Sequence, residues 1–237
     1  MSRGRPRLDR QAIVAATLEA LDERGLDRLS SHAVAARLGV RQPALYHHFR
    51  DMAELLAAVA AEVLDRWHTE RLPKAGENWD SFLLRNARSM RRAMLAVRDG
   101  ARLIATAGAR APNPANSLAQ VSFLEGHGFS GPDAVLAAIA VSRYTIGSTL
   151  EQQSARDGTA ILVPGEDELP GADRFARIAE TVAELGPDHE FEIGLAALVR
   201  GLAPSPRRGA EESASRRGSD PAPPVAVEEP APTSDGR

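Results

Sequence analysis

Apolar residues recur along most of this chain at three- and four-residue spacing, and no stretch alternates as a half-buried strand would. Over residues 9–24, Ile13, Val14, Leu18 and Leu21 mark one helical face, and Gly25 supplies a stop because glycine accepts positive φ. Residues 26–29 then lead to Ser30 and Ser31, either of which can cap a short second helix. That helix turns Val34, Ala35 and Leu38 inward and ends at Gly39. Residues 40–43 open a third helix, completed by Tyr46 and Phe49; Pro43 suits a first turn, where its missing N–H costs nothing. A fourth helix is predicted over 52–68 on Leu55, Leu56, Val59, Val63 and Leu64. Pro73 and Gly76 break the pattern. Beyond them helices are predicted over 79–97, 117–126, 132–153, 172–185 and 189–202, with loops at 107–115 and 155–171. The expected fold class is all-α.

Length and composition narrow the classes. The 237 residues fit a small N-terminal domain plus one larger helical domain, and 43% hydrophobic residues supply a core. There is no cysteine, so disulfides, thiolate metal sites and cysteine nucleophiles are excluded. No apolar run approaches the roughly 20 residues of a membrane span, and MSRGRPRLDR has no apolar stretch behind it, so it does not read as a signal peptide. The expectation is a cytoplasmic protein with no membrane partner. Net charge is −3, but Arg3, Arg5, Arg7 and Arg10 crowd the start against Asp9 alone, while acids gather over 151–173 and in the tail. A basic end on a mildly acidic body suits a protein that touches DNA with one end. From about Pro204 onward, large apolar residues almost vanish, and the tail 204–237 is expected to be disordered, with no site assigned to it. No nucleophile elbow, phosphate loop or metal triplet is present, so an enzyme is not expected, and neither a metal site nor a cofactor is predicted.

The informative segment is Ser31-His-Ala-Val-Ala-Ala-Arg-Leu-Gly-Val-Arg-Gln-Pro-Ala-Leu-Tyr-His-His-Phe-Arg50. Two short helices flank a turn at Gly39; Ala35 and Ala36 let them approach, Val40 fills the corner, and Leu45 and Phe49 anchor the second helix. Arg41, Gln42, Ala44, Tyr46, His47 and His48 are left able to point outward, as in a helix-turn-helix whose second helix enters the major groove. A metal site on His47 and His48 is disfavoured because adjacent helical positions diverge by about 100°.

This segment resembles the tetracycline-repressor (TetR) family, most closely in Leu45-Tyr46-His47-His48-Phe49. The likeness extends through Asp65-Arg66-Trp67-His68, Gly76-Glu77-Asn78-Trp79, Arg98-Asp99-Gly100-Ala101, Gly128-Phe129-Ser130, Tyr144-Thr145-Ile146-Gly147 and Leu150-Glu151-Gln152-Gln153, covering about residues 8–203. The resemblance implies a basic arm (1–8), a helix-turn-helix domain (9–51), a connecting helix (52–70) and a ligand-binding and dimerisation domain (71–203). It places Gln42, Pro43, Ala44, Tyr46, His47 and His48 against DNA. Gln42 is the first choice for base reading, since its amide pairs bidentately with adenine. Tyr46, His48, Ser30 and Arg50 suit phosphates. His32 and Met52 stand where tetracycline repressors carry basic residues, so a different operator is expected. The arm with Arg3 and Arg5 suits a narrow, A·T-rich minor groove.

For the second domain the resemblance implies a ligand pocket and a homodimer formed by helices matching 132–153 and 189–202, hence a palindromic operator on double-stranded DNA. His68, Asn86, Gln120 and Glu151 match drug- or magnesium-site positions of the tetracycline repressors. The magnesium-coordinating histidine of that site is replaced by Ile104, a phenylalanine contact by Met90, and a second histidine by Arg143. Isoleucine offers a hard cation no ligand atom, so the expected effector is not magnesium–tetracycline but a more apolar small molecule, set against Ile104, Met90, Leu103 and Phe82. The reading is thus a ligand-released transcriptional repressor. The alternative is a DNA-binding regulator whose pocket is filled and which takes no effector.

Overall fold

A computed structural model describes residues 8–107, 113–155 and 172–204. Arg3, Arg5 and the rest of the arm, the acidic stretch after Ala155 and the tail from residue 205 lie outside the described residues. Every regular element described is helical: α1 (Arg10–Arg24), α2 (Ser31–Leu38), α3 (Met52–Trp67), α4 (Trp79–Leu95), α5 (Gly100–Thr106), α6 (Pro114–Gly126), α7 (Gly131–Ala155) and α8 (Ala172–Gly201), with short 3₁₀ helices at Leu26–Arg28 and Gln42–His47. The helix between α2 and α3 is thus a six-residue 3₁₀ segment rather than α-helix.

Local chemistry sets the boundaries. Asp9, Ser30 and Asp51 each accept the N–H three residues on, from Ala12, Ala33 and Glu54, satisfying donors that a helix start leaves open. Ser30, not Ser31, is therefore the cap of α2. Gly39 closes α2 in the left-handed region at φ 64°, which a side chain there would disfavour. In α8 the helix breaks at Gly186 (φ 77°) before Pro187, so it is two segments meeting at a kink, matching the division between 172–185 and 189–202.

Helix α5 is absent from the periodicity reading. Asp99 adopts φ 55° and turns the chain sharply out of α4, and a Cβ on Gly100 would run into the Met94 carbonyl oxygen. Close backbone approach at this corner, not an apolar stripe, starts the helix. The corner is fastened by Gln153 of α7, whose Oε1 accepts from Ala101 N–H at 3.0 Å while its Nε2 donates to the Met94 and Val97 carbonyls at 3.1 Å.

Two apolar cores result. One joins Ile13, Leu21, Val34, Leu45, Phe49, Leu55 and Val59 and continues through Val63 to Met94, Ala101, Leu103 and Ile104, so the helix-turn-helix shares its core with the α4–α5 corner. The other packs Phe82, Leu83, Ala87, Leu124, Val141, Phe191 and Leu195 between α4, α6, α7 and α8. Helix α3 begins beside the 3₁₀ segment and ends at His68, against Ser89 of α4, and this span sets the relation between the two candidate sites.

Candidate functional site

The outward face of the helix-turn-helix is polar. Leu45 and Phe49 are buried, while His32, Arg41, Pro43, Tyr46, His47 and Arg50 are exposed and Gln42, Ala44 and His48 half-buried. Gln42 is already positioned: its Nε2 donates to Ser31 Oγ at 2.7 Å and lies 3.5 Å from the Tyr46 hydroxyl. Ser31 thereby fixes the rotamer of the candidate base-reading side chain from the preceding helix. Ser30 spends its hydroxyl oxygen on the α2 cap, which leaves its O–H free to rotate toward an acceptor.

The segment is held in place by Arg10, which sequence reasoning counted only among the basic residues of the N-terminus. Its guanidinium donates to the His48 carbonyl and to Glu54 Oε1 (3.0 Å), and its Cζ lies 4.0 Å from the centroid of the Phe49 ring. Glu54 also accepts the Arg50 N–H at 2.7 Å, and these contacts, the Arg50 amide first and Arg10 second, hold its carboxyl below the ordinary range. One arginine of α1 thus ties the end of the recognition segment to the first turn of α3. The contact spans 38 residues, and no spacing rule reveals it.

The second constellation lies where α3 ends. His68 is buried, its Nδ1 3.0 Å from Ser89 Oγ. Asn86 Nδ2 and Gln120 Nε2 both donate to the Arg71 carbonyl, at 3.2 and 2.8 Å. Three of the expected ligand residues therefore converge on one short turn, residues 68–72. Arg71 locks that turn onto α3 by donating to Leu64 O (2.5 Å), His68 O (2.9 Å) and Asp65 Oδ1 (2.7 Å). Arg85 clamps it to α4 through Glu77 at 2.6 Å and through the Glu70 and Leu72 carbonyls. Burial first, then the charges of Arg71, Arg92 and Arg85, push His68 down to about 4, so at neutral pH its imidazole is uncharged.

Phe82, Asn86 and Met90 recur every four residues and so share one stripe of α4; Phe82 is buried and Met90 is half-buried against the first core. Ile104 is 1% exposed in that same core. The structure does not bring Arg143 or Glu151 to this node: both are exposed on α7. Ser89 and Arg71, which organise the node, carry no signal in sequence: the acceptor that Arg71 offers Asn86 and Gln120 is a backbone oxygen, and its guanidinium bonds go mostly to backbone carbonyls. Among the described residues no group of three or more His, Asp or Glu side chains could hold a metal ion. With isoleucine at position 104, the donor set does not fit a magnesium chelate.

The chain matches two family models, bacterial regulatory proteins of the tetR family over residues 13–59 and the tetracyclin repressor-like C-terminal domain over residues 72–205. It is 41% identical over 197 residues to the tetracycline repressor protein class A from transposon 1721 of Escherichia coli, covering 83% of this chain and 91% of that protein. Among solved structures it is similar to class A TetR in complex with 5a,6-anhydrotetracycline and magnesium (TM-score 0.65, 39% identity, 83% of this chain and 98% of that one). It is also similar to BioQ with its double-stranded DNA operator (TM-score 0.63, 28% identity, 83% and 99%). With these matches spanning both halves of the described fold, the chain belongs to the tetR family of bacterial regulatory proteins, non-enzymatic helix-turn-helix transcriptional repressors that bind operator DNA.

Proposed function

We propose that this repressor binds a palindromic operator as a homodimer and lets go when a small molecule other than magnesium–tetracycline occupies the node formed by His68, Asn86 and Gln120. The observation that carries the reading is the convergence of the Asn86 and Gln120 amides on the Arg71 carbonyl beside a neutral, buried His68. In the chain alone each of these half-buried amides donates to that carbonyl. A ligand carbonyl or hydroxyl that takes them over releases the 68–72 turn from α4 and α6. That turn is bonded to the last residues of α3, whose first turn is bonded through Glu54 to Arg10 and Arg50. Displacement at one end of α3 is thus delivered to the recognition segment at the other. Release follows only in so far as the ligand binds the displaced state better than the DNA-bound one.

Two features support the choice of ligand and of assembly. The similar class A repressor is solved with an anhydrotetracycline and magnesium, which favours a polycyclic or comparably large ligand, whereas Ile104 and Met90 favour one that needs no cation. A second copy is favoured by apolar side chains left exposed on two helices: Val135, Leu136 and Ile139 on α7, and Phe175, Ile178, Val182 and Leu185 at heptad-like spacing on α8. The α8 set extends the surface expected for association beyond the 189–202 segment, whose Phe191 and Leu195 are instead spent on the chain's own core.

The test is operator release. Complex formed on the protein's operator is challenged with tetracycline, with and without magnesium, and with a panel of apolar polycyclic natural products. Release by a panel compound, unaffected by chelator and abolished by Asn86→Ala with Gln120→Ala, is the expected outcome. Magnesium-dependent release by tetracycline at submicromolar concentration would refute the ligand assignment.

A further inference from the structure

A cavity lies apart from the His68 node, at the junction between the helix-turn-helix and the α4–α5 corner. Its volume is about 320 Å³, and none of the eight residues considered for the effector node lines it. Four arginines do: Arg24, the last residue of α1, Arg28, in the 3₁₀ turn that follows, Arg98, just before α5, and Arg102 within it. Against them stand Asp27 and Asp99, so the lining carries two more positive than negative charges in a chain whose net charge is −3.

The two carboxylates are already engaged. Asp27 pairs with Arg102 at 2.5 Å, and that hydrogen bond first, then the arginine charge, holds its carboxyl below the ordinary range. Asp99 accepts the Leu26 N–H at 2.7 Å. Arg98 is anchored by its backbone N–H to Asp22 and by one guanidinium nitrogen to the Glu23 carbonyl. The side chains of Arg24 and Arg28, by contrast, have no ion pair or hydrogen bond among the described residues. The walls are braced, and the guanidinium groups of Arg24 and Arg28, both exposed residues, are uncommitted. Concave, like-charged linings focus potential, and guanidinium forks match the oxygens of phosphate.

We infer that this cleft binds a small polyanion of the phosphorylated-metabolite class, with Arg24 and Arg28 closing on its phosphate groups and Arg98 and Arg102 forming the back wall. Because one wall belongs to α1 and the next turn, and the others to the α4–α5 corner and to Leu150, Gln153 and Ser154 of α7, the bound anion bridges the DNA-reading head and the helical body. The site is independent of the effector node proposed above.

Inorganic pyrophosphate is the probe. It is titrated calorimetrically into the full-length protein at constant ionic strength, in parallel with R24Q/R28Q, with R28Q alone and, as a charge-matched control elsewhere, with R174Q/R177Q. Saturable binding to wild type and control, weakened at least about tenfold in R24Q/R28Q with unchanged helical circular dichroism, is the expected result. Equal heats in all proteins, or no saturable heat with wild type, would overturn the assignment. So would a loss of operator affinity and salt slope in R24Q/R28Q with no pyrophosphate binding to wild type, since the arginines would then be contacts to the DNA backbone.

Discussion

Mild acid should destabilise this protein through one side chain. His68 is buried against Ser89 and faces the guanidinium groups of Arg71, Arg92 and Arg85, with Glu70 the opposing acid, and its pKa in the fold is lowered to about 4. A histidine whose folded pKa lies below its unfolded value binds fewer protons folded than unfolded. Its contribution is present in full above the unfolded pKa and is lost as pH falls toward the folded one. With an unfolded value of about 6.5, linkage gives a loss of about 2 kcal/mol between pH ~7 and ~5. Glu70 and Glu77 are both held low, so they stay ionised over that window and do not mimic the effect. The assay is urea unfolding at the two pH values for wild type and His68→Asn, which retains a polar group at the position but does not titrate. Wild type should lose about 2 kcal/mol more than the variant on acidification. Equal losses would refute the picture of a neutral, desolvated imidazole at the node.

Three further outcomes follow from the geometry. Gln42→Ala should weaken the specific operator complex by about 1–3 kcal/mol without changing its salt slope, whereas Arg50→Gln, which removes an exposed cation set toward a phosphate, should lower the slope by about one, both read by anisotropy titrations in a salt series. Gly100→Ala forces a Cβ into the Met94 carbonyl and should cost about 2–3 kcal/mol, seen as a lowered thermal midpoint; an unchanged midpoint would mean the corner opens freely. Leu136→Glu with Ile139→Glu should yield a helical monomer by sedimentation, and persistence of a dimer would move the association surface elsewhere.

The elements legible in the sequence are those written in local chemistry. Gly25 and Gly39 stop helices where φ turns positive, Ser30 caps α2, and the Gly186–Pro187 break was readable as a boundary. Helix α5 was not, because it is seven residues long and its start depends on Asp99 and Gly100 being packed against Met94 and held by Gln153. At the recognition segment, which side chains face outward could be read from periodicity and resemblance. The Ser31–Gln42 bond and the Arg10 clasp could not, since they join residues 11 and 38 positions apart. At the effector node the resemblance named His68, Asn86 and Gln120. That they meet on the Arg71 carbonyl was invisible, because a backbone oxygen has no letter of its own.

Repression rests on sequence-specific operator binding, and that is the measurement to make first. Purified protein is titrated onto the DNA upstream of its own gene, with excess random DNA, across a salt series. The account requires a saturable complex on a two-fold symmetric site, with two protomers bound and strong salt dependence. Equal affinity for the symmetric site and for scrambled DNA of the same length, with no better sequence emerging from selection, would contradict it.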